Sequence, residues 1–277
     1  MRIYHVCRLV HVESTTDIRA AITREKQLRF AQDDNPAIRL LLRQSLLTVI
    51  NVSKQFGPTT ALHDAGFSVR EGEVLGIIGP NGSGKSTLLA CAAGLVRADA
   101  GRVLRDGAAI DLATIRATIF LLPDGITPWA EHHVRDVMET WRRLQGRSAD
   151  DVARRVSDVA LGGLTGRLVR ELSKGERKRL LLAIALLATQ PVLLLDEPFD
   201  GLDLRQLRDV AALLRAESRR GRAIVLSLHQ LGDAERVCDR LALLDGGRIV
   251  AEGSADELRA RAGLPHAALE EVFLALT

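Results

Sequence analysis

EVLGIIGPNGSGKSTLLACAAGL, running from Glu73 to Leu95, holds a strand, a loop and a helix in direct succession. The apolar run up to Gly79 suits a parallel strand buried on both faces. GPNGSGKS, Gly79 to Ser86, matches G-x-x-x-x-G-K-S/T. The apolar residues that follow suit a helix ending near Gly94. This order is what a triphosphate requires, because its oxygens need many donors at close range. Gly79, Pro80, Asn81, Gly82, Ser83 and Gly84 form the loop. Gly82 and Gly84 lack side chains, so the backbone can gather its N–H groups into a nest. The helix start adds its dipole. Lys85 brings a full charge to the β- and γ-phosphates, and Ser86 offers a hydroxyl to Mg²⁺. Thr87 supports the loop or the α-phosphate side.

Outward from this loop the pattern alternates. LLTVINV and AGFSVR read as short strands around an FGPTT turn, and GRVLRDGAAI as a hairpin turning at Asp106-Gly107. ATIFLL, VLLLD and AIVLSL read as buried strands. RLALLD and GRIVAEG read as a hairpin around Gly246-Gly247, with a C-terminal helix after it. Between ATIFLL and VLLLD the chain is helical. Val134, Val137, Met138, Trp141 and Leu144 share one helical face, and further helices are expected over DVARRVSDVA and from about Ser173. The fold expected is α/β: a P-loop core with a mostly parallel sheet, an N-terminal antiparallel β-subdomain, and a helical subdomain inserted at about 124–178. Residues 1–45 are polar and mixed and carry no motif. They are read as an N-terminal extension of unknown role, with the α/β domain over 46–277.

VLLLDEP, Val192 to Pro198, is an apolar strand ending in two carboxylates. A strand ending at the carboxyl edge of a parallel sheet delivers its last residues to the ligand crevice. Neighbouring side chains alternate in direction. Asp196 is therefore expected to hold Mg²⁺ through water, and Glu197 to orient and polarise an attacking water.

Bulk properties exclude other classes. A net charge of +3 is too small to argue for nucleic acid. Cys7, Cys91 and Cys238 are far apart and form no C-x-x-C, so neither a disulfide framework nor a zinc site is indicated. The most apolar stretch, Leu180 to Leu195, is broken by Gln190 and Pro191, and neither half reaches the ~20 residues of a membrane span. Arg8, His11, Glu13 and Asp17 interrupt the apolar core that a secretory leader would need.

ELSKGERKRLLLAIALL, from Glu171, resembles the signature segment of the ABC-type ATPases, whose usual form is LSGGQ. Ser173 is a good N-cap before an apolar helix, and with Gly175 it would form a second anion site. The segment precedes VLLLDEP by ~20 residues, as in that family. Three further resemblances follow in order. Phe56 is similar to the aromatic that stacks on adenine. Gly201-Leu202-Asp203 is similar to the segment that communicates across a dimer. His229, directly after AIVLSL, is similar to the switch histidine at the γ-phosphate. The resemblance covers about residues 46–277. It implies an ATP- and Mg²⁺-dependent ATPase whose cassettes pair head to tail as a homodimer or heterodimer. Each ATP would lie between the glycine loop of one cassette and the Ser173 helix of the other. It also implies a membrane-spanning permease partner and a peripheral place on the cytoplasmic face of the cell membrane. The tail from GRIVAEG to LEEVFLALT resembles that of subunits serving two-component exporters.

The chain departs from the family pattern at three points. Asp124 stands where Gln usually contacts Mg²⁺ and the membrane subunit, and Lys174 and Glu176 replace the usual Gly and Gln of the signature. A competing reading is a non-transport ABC ATPase acting on nucleic acid or the ribosome. Against it, the interval of about 90 residues between Ser86 and Ser173 holds no sustained heptads, and one cassette is present. No nucleic-acid partner is expected. A degenerate cassette that only binds ATP is opposed by the presence of Lys85, Asp196, Glu197 and His229.

Overall fold

The computed structural model describes residues 45–277, so the N-terminal extension, apart from Ser45, and Cys7 lie outside the described residues. Two sheets organise the chain. The smaller is antiparallel, in the order β2-β1-β4-β5, from β1 (Leu47–Phe56), β2 (Thr59–Val69), β4 (Ala100–Arg105) and β5 (Ala108–Ala109). The larger runs β10-β9-β3-β8-β7-β6, from β3 (Val74–Ile78), β6 (Ile119–Leu122), β7 (Val192–Asp196), β8 (Ala223–Leu228), β9 (Arg240–Asp245) and β10 (Arg248–Gly253). In it β6, β7, β8, β3 and β9 are parallel, and β10 closes the edge antiparallel to β9.

The central strands are apolar throughout because both faces are covered. In β7, Leu193 and Leu195 join one core while Val192 and Leu194 join the other. The second core lies between the two sheets and includes Leu88 and Leu89 of α1 (Lys85–Ala92). The first packs against α5 (Lys174–Leu187), whose residues Leu180 to Leu187 are all buried. The apolar stretch before VLLLD is thus a core helix feeding a core strand, and among the described residues no helix is long and apolar enough to cross a membrane. Between β6 and β7 lie α3 (Val134–Leu144) and α4 (Ala149–Asp158), then α5. Val134, Val137 and Met138 are buried as their spacing predicts. Trp141 is partly buried with its ring edge-on to Phe120, whereas Leu144 is exposed at the helix end. Cys91 and Cys238 are buried free thiols.

Some local expectations need correction. ATIFLL begins as helix: α2 (Leu112–Thr118) precedes the strand, held by Asp111, whose carboxylate accepts from the Thr114 N–H at 2.8 Å. The C-terminal helix is two, α8 (Ala255–Ala262) and α9 (Leu269–Leu276). Two helices complete the layer that covers the parallel sheet: α6 (Leu204–Ser218), expected from DLRQLRDVAALLRAESRR, and α7 (Leu231–Val237), which the sequence did not suggest. Leu194→Ala, in a strand packed on both faces, is expected to cost ~2–5 kcal/mol of unfolding free energy. Chemical denaturation of the parent and variant measures it.

Candidate nucleotide-binding site

Register in the parallel sheet sets the site. Ile78 pairs with Leu228 and Asp196 with Ser227, so β3, β8 and β7 end side by side. The glycine loop follows β3, His229 follows β8 and Glu197 follows β7. Three segments that are far apart in sequence thereby meet at the carboxyl edge of adjacent strands, where open α/β sheets bind ligands.

Between Gly79 and Ser86 the loop is packed too closely for side chains at two positions. A Cβ on Gly79 would lie 2.1 Å from the Leu244 carbonyl oxygen. One on Gly84 would lie 2.6 Å from that of Ala61, and Gly84 also adopts φ +105. The Gly82 backbone is left-handed too, at φ +83. Gly84 thus begins α1 with a conformation that L side chains avoid. Lys85 is buried and its ammonium donates to the carbonyls of Gly79 at 2.8 Å and Pro80 at 3.1 Å. Burial pushes its pKa below the ordinary lysine value, against the opposing pull of Glu197 and Asp196. The Ser83 hydroxyl is buried with no hydrogen-bond partner.

Ser227, wholly buried in β8, organises the carboxylates. Its hydroxyl donates to Asp196 Oδ1 and accepts from the Glu197 N–H at 2.9 Å. Glu197 leaves the strand with φ +46. Its separation from Asp196 therefore comes from a left-handed turn and not from simple strand alternation. Left-handed conformations at non-glycine residues cluster at functional sites. His229 Nδ1 stands 3.5 Å from Glu197 Oε2. A single-serine polar position in the otherwise apolar AIVLSL was the signal for Ser227.

Asp124 Oδ1 accepts from Lys178 Nζ at 2.8 Å, and the same ammonium donates to the Glu197 carbonyl at 2.9 Å. Asp124, Glu197 and Asp200 bring carboxylate oxygens within 4.8 Å of one another. Ser173 caps α5 as its type predicts. It accepts from the Glu176 N–H at 3.2 Å, and the Glu176 carboxylate answers with a hydrogen bond from the Ser173 N–H at 2.8 Å. The departure at Glu176 thus serves the cap. Those hydrogen bonds, from the Ser173 backbone first, lower the Glu176 pKa. Lys174 pairs with Asp200 at 2.8 Å, a bond that raises the Lys174 pKa and lowers that of Asp200. Gly175 lies against the Gly201 carbonyl, leaving no room for a side chain. Asp203 caps α6. Phe56 is exposed at the β1–β2 turn, with Lys54 Nζ 5.2 Å from its ring centre, so it is not a core residue.

A model of the ABC transporter family matches residues 62–200, from β2 to the loop after Glu197. The chain belongs to the ABC transporter family. As an ABC ATP-binding subunit it is 35% identical over 216 residues to the Nod factor export ATP-binding protein I of Rhizobium etli, covering 75% of this chain and 68% of that one. It is 40% identical over 215 residues to the hemin import ATP-binding protein HmuV of Streptomyces coelicolor, covering 74% and 76%. Among solved structures, an ATP-binding subunit of an ABC transporter superposes with a TM-score of 0.76 at 29% identity, covering 84% of this chain and 99% of that one. The α/β architecture expected from the sequence is the one these ABC subunits share.

The cap can be tested directly. Ser173→Ala is expected to lower unfolding stability by ~1 kcal/mol at neutral pH. Because the fold depresses the Glu176 pKa, its share is complete above the ordinary value of 4.5 and is lost as pH falls through the lowered value in the fold. Denaturant titrations of parent and Glu176→Gln should therefore converge in acid.

Proposed function

We propose that this cassette hydrolyses ATP and that closure of two cassettes on the nucleotide drives a membrane permease. The observation that carries the reading is the shared strand edge: Gly79–Ser86, Glu197 and His229 emerge from three adjacent parallel strands. In this reading the N–H groups from Gly79 to Thr87 bind the triphosphate, with Pro80, Asn81, Gly82, Ser83 and Gly84 shaping the cradle. Lys85 exchanges its two loop carbonyls for β- and γ-phosphate oxygens. Phe56 offers an exposed ring face to the adenine. Ser173 and Gly175 of the second cassette close the pocket from the other side.

The donor set of Ser86 hydroxyl and Asp196 carboxylate is made of hard oxygens, which suits Mg²⁺. When bound, the ion neutralises charge developing on the β- and γ-phosphates. Asp124 is assigned to the same ion from its place in the sequence; in the fold its carboxylate groups with those of Glu197 and Asp200 and pairs with Lys178. Glu197 holds and polarises the attacking water, and His229 fixes the Glu197 carboxylate and contacts the γ-phosphate. Hydrolysis removes that phosphate, the two surfaces lose their common ligand, and the pair reopens.

The permease would be a separate membrane-spanning protein, placing this chain on the cytoplasmic face of the cell membrane. Export is favoured by the C-terminal sequence, which resembles that of subunits serving two-component exporters; the relatives include both a Nod factor export subunit and a hemin import subunit. Co-purification with a membrane-spanning protein supports the transport reading, whereas tight, salt-sensitive DNA or ribosome binding would replace it. Glu197→Gln is expected to bind ATP like the parent, hydrolyse it ~10²–10⁴-fold more slowly, and elute as a dimer in Mg·ATP. Phosphate release and gel filtration measure these outcomes; parental hydrolysis by the variant would remove Glu197 from its role.

A further inference from the structure

Lys174 and Lys178 lie one turn apart at the start of α5 and so share a helix face. Both point at the loop that follows β7. Lys174 pairs with Asp200. Lys178, whose side chain is only 7% exposed, reaches Asp124 and the Glu197 carbonyl together. A buried ammonium needs such partners, and its three protons leave two well used here.

The Glu197 backbone is the unusual element it touches. At φ +46 a glutamate is held by its surroundings and not by its own preference. Two hydrogen bonds clamp it, one on each side: the N–H to Ser227 and the carbonyl from Lys178. Ser227 belongs to the sheet, which is fixed, whereas Lys178 belongs to the helix that Ser173 caps. The same ammonium supplies the counter-charge for Asp124, whose carboxylate sits close to those of Glu197 and Asp200.

We propose that Lys178 is a positioning residue for hydrolysis, tying the Glu197 main chain and Asp124 to the signature helix. Resting on the role proposed above for Glu197, the inference adds a route between two nucleotides. The α5 start closes over the triphosphate held by the other cassette, and its Lys178 holds the main chain of Glu197, whose carboxylate serves the triphosphate of its own cassette. Each site thus reports its occupancy to the neighbouring water-activating group through one buried side chain.

The test uses the full chain with Mg·ATP and compares Lys178→Gln, Lys178→Arg, Asp124→Asn and the Asp124→Asn/Lys178→Gln pair. Lys178→Gln is expected to lower kcat ~10–100-fold while KM and binding of a fluorescent ATP analogue stay at parental values. Lys178→Arg, which keeps the cation and the donors, should recover most of the rate. Lys178→Gln should cost less rate in the Asp124→Asn background than in the parent, because both changes break one linkage. The inference fails if Lys178→Gln turns over like the parent. It also fails if kcat, affinity and Tm fall together and neither Arg nor the Asp124 change alters the loss, since Lys178 would then be structural only. Glu197→Gln separates the two layers. If that variant hydrolyses normally, the role of Glu197 is wrong; if it is silent while Lys178→Gln is active, only the lysine inference is lost.

Discussion

The parallel ladder through β3, β8 and β7 is the constraint on which the rest depends. Its register sets Ile78 beside Leu228 and Asp196 beside Ser227, and so decides which loops emerge together. A slip of one residue would turn each side chain to the opposite face, and both faces of these strands are buried in separate cores. The hydrophobic cores therefore protect the register, and the register assembles the site. Stability and chemistry are linked through the same backbone hydrogen bonds.

On that frame the polar groups are arranged by sign. Asp124 faces Lys178, Asp200 faces Lys174 and Glu197 faces His229, so three clustered carboxylates each have a basic neighbour. The signature helix supplies two of the three. Departures that look arbitrary one at a time are consistent when taken together: Asp124 is matched by a lysine on α5, Glu176 completes a helix cap, and Lys174 anchors the loop after Glu197. The site is thus joined to the helix that Ser173 caps.

Much of this was legible because it is written locally. EVLGIIGPNGSGKS announces its own strand, turn and helix, and VLLLDEP combines an apolar run with two acids at its end. Ser173 declares itself a cap by type and position. What escaped depends on partners distant in sequence. Ser227 reads as a minor interruption of a strand until the sheet sets it beside Asp196. Lys178 reads as one more basic residue on a helix until folding buries it against Asp124, 54 positions away. The short α2 and α7 were missed because seven residues hold too few turns to display a period. Phe56 stands apart: the structure leaves its ring exposed.

The central claim is that one nucleotide is enclosed by two cassettes. The most direct measurement is a structure of Glu197→Gln assembled in Mg·ATP. The account predicts triphosphate oxygens within hydrogen-bond reach of the Gly79–Ser86 backbone of one cassette and of Ser173 at the α5 start of the other. A nucleotide bound by the glycine loop with the Ser173 surface open to solvent would contradict it.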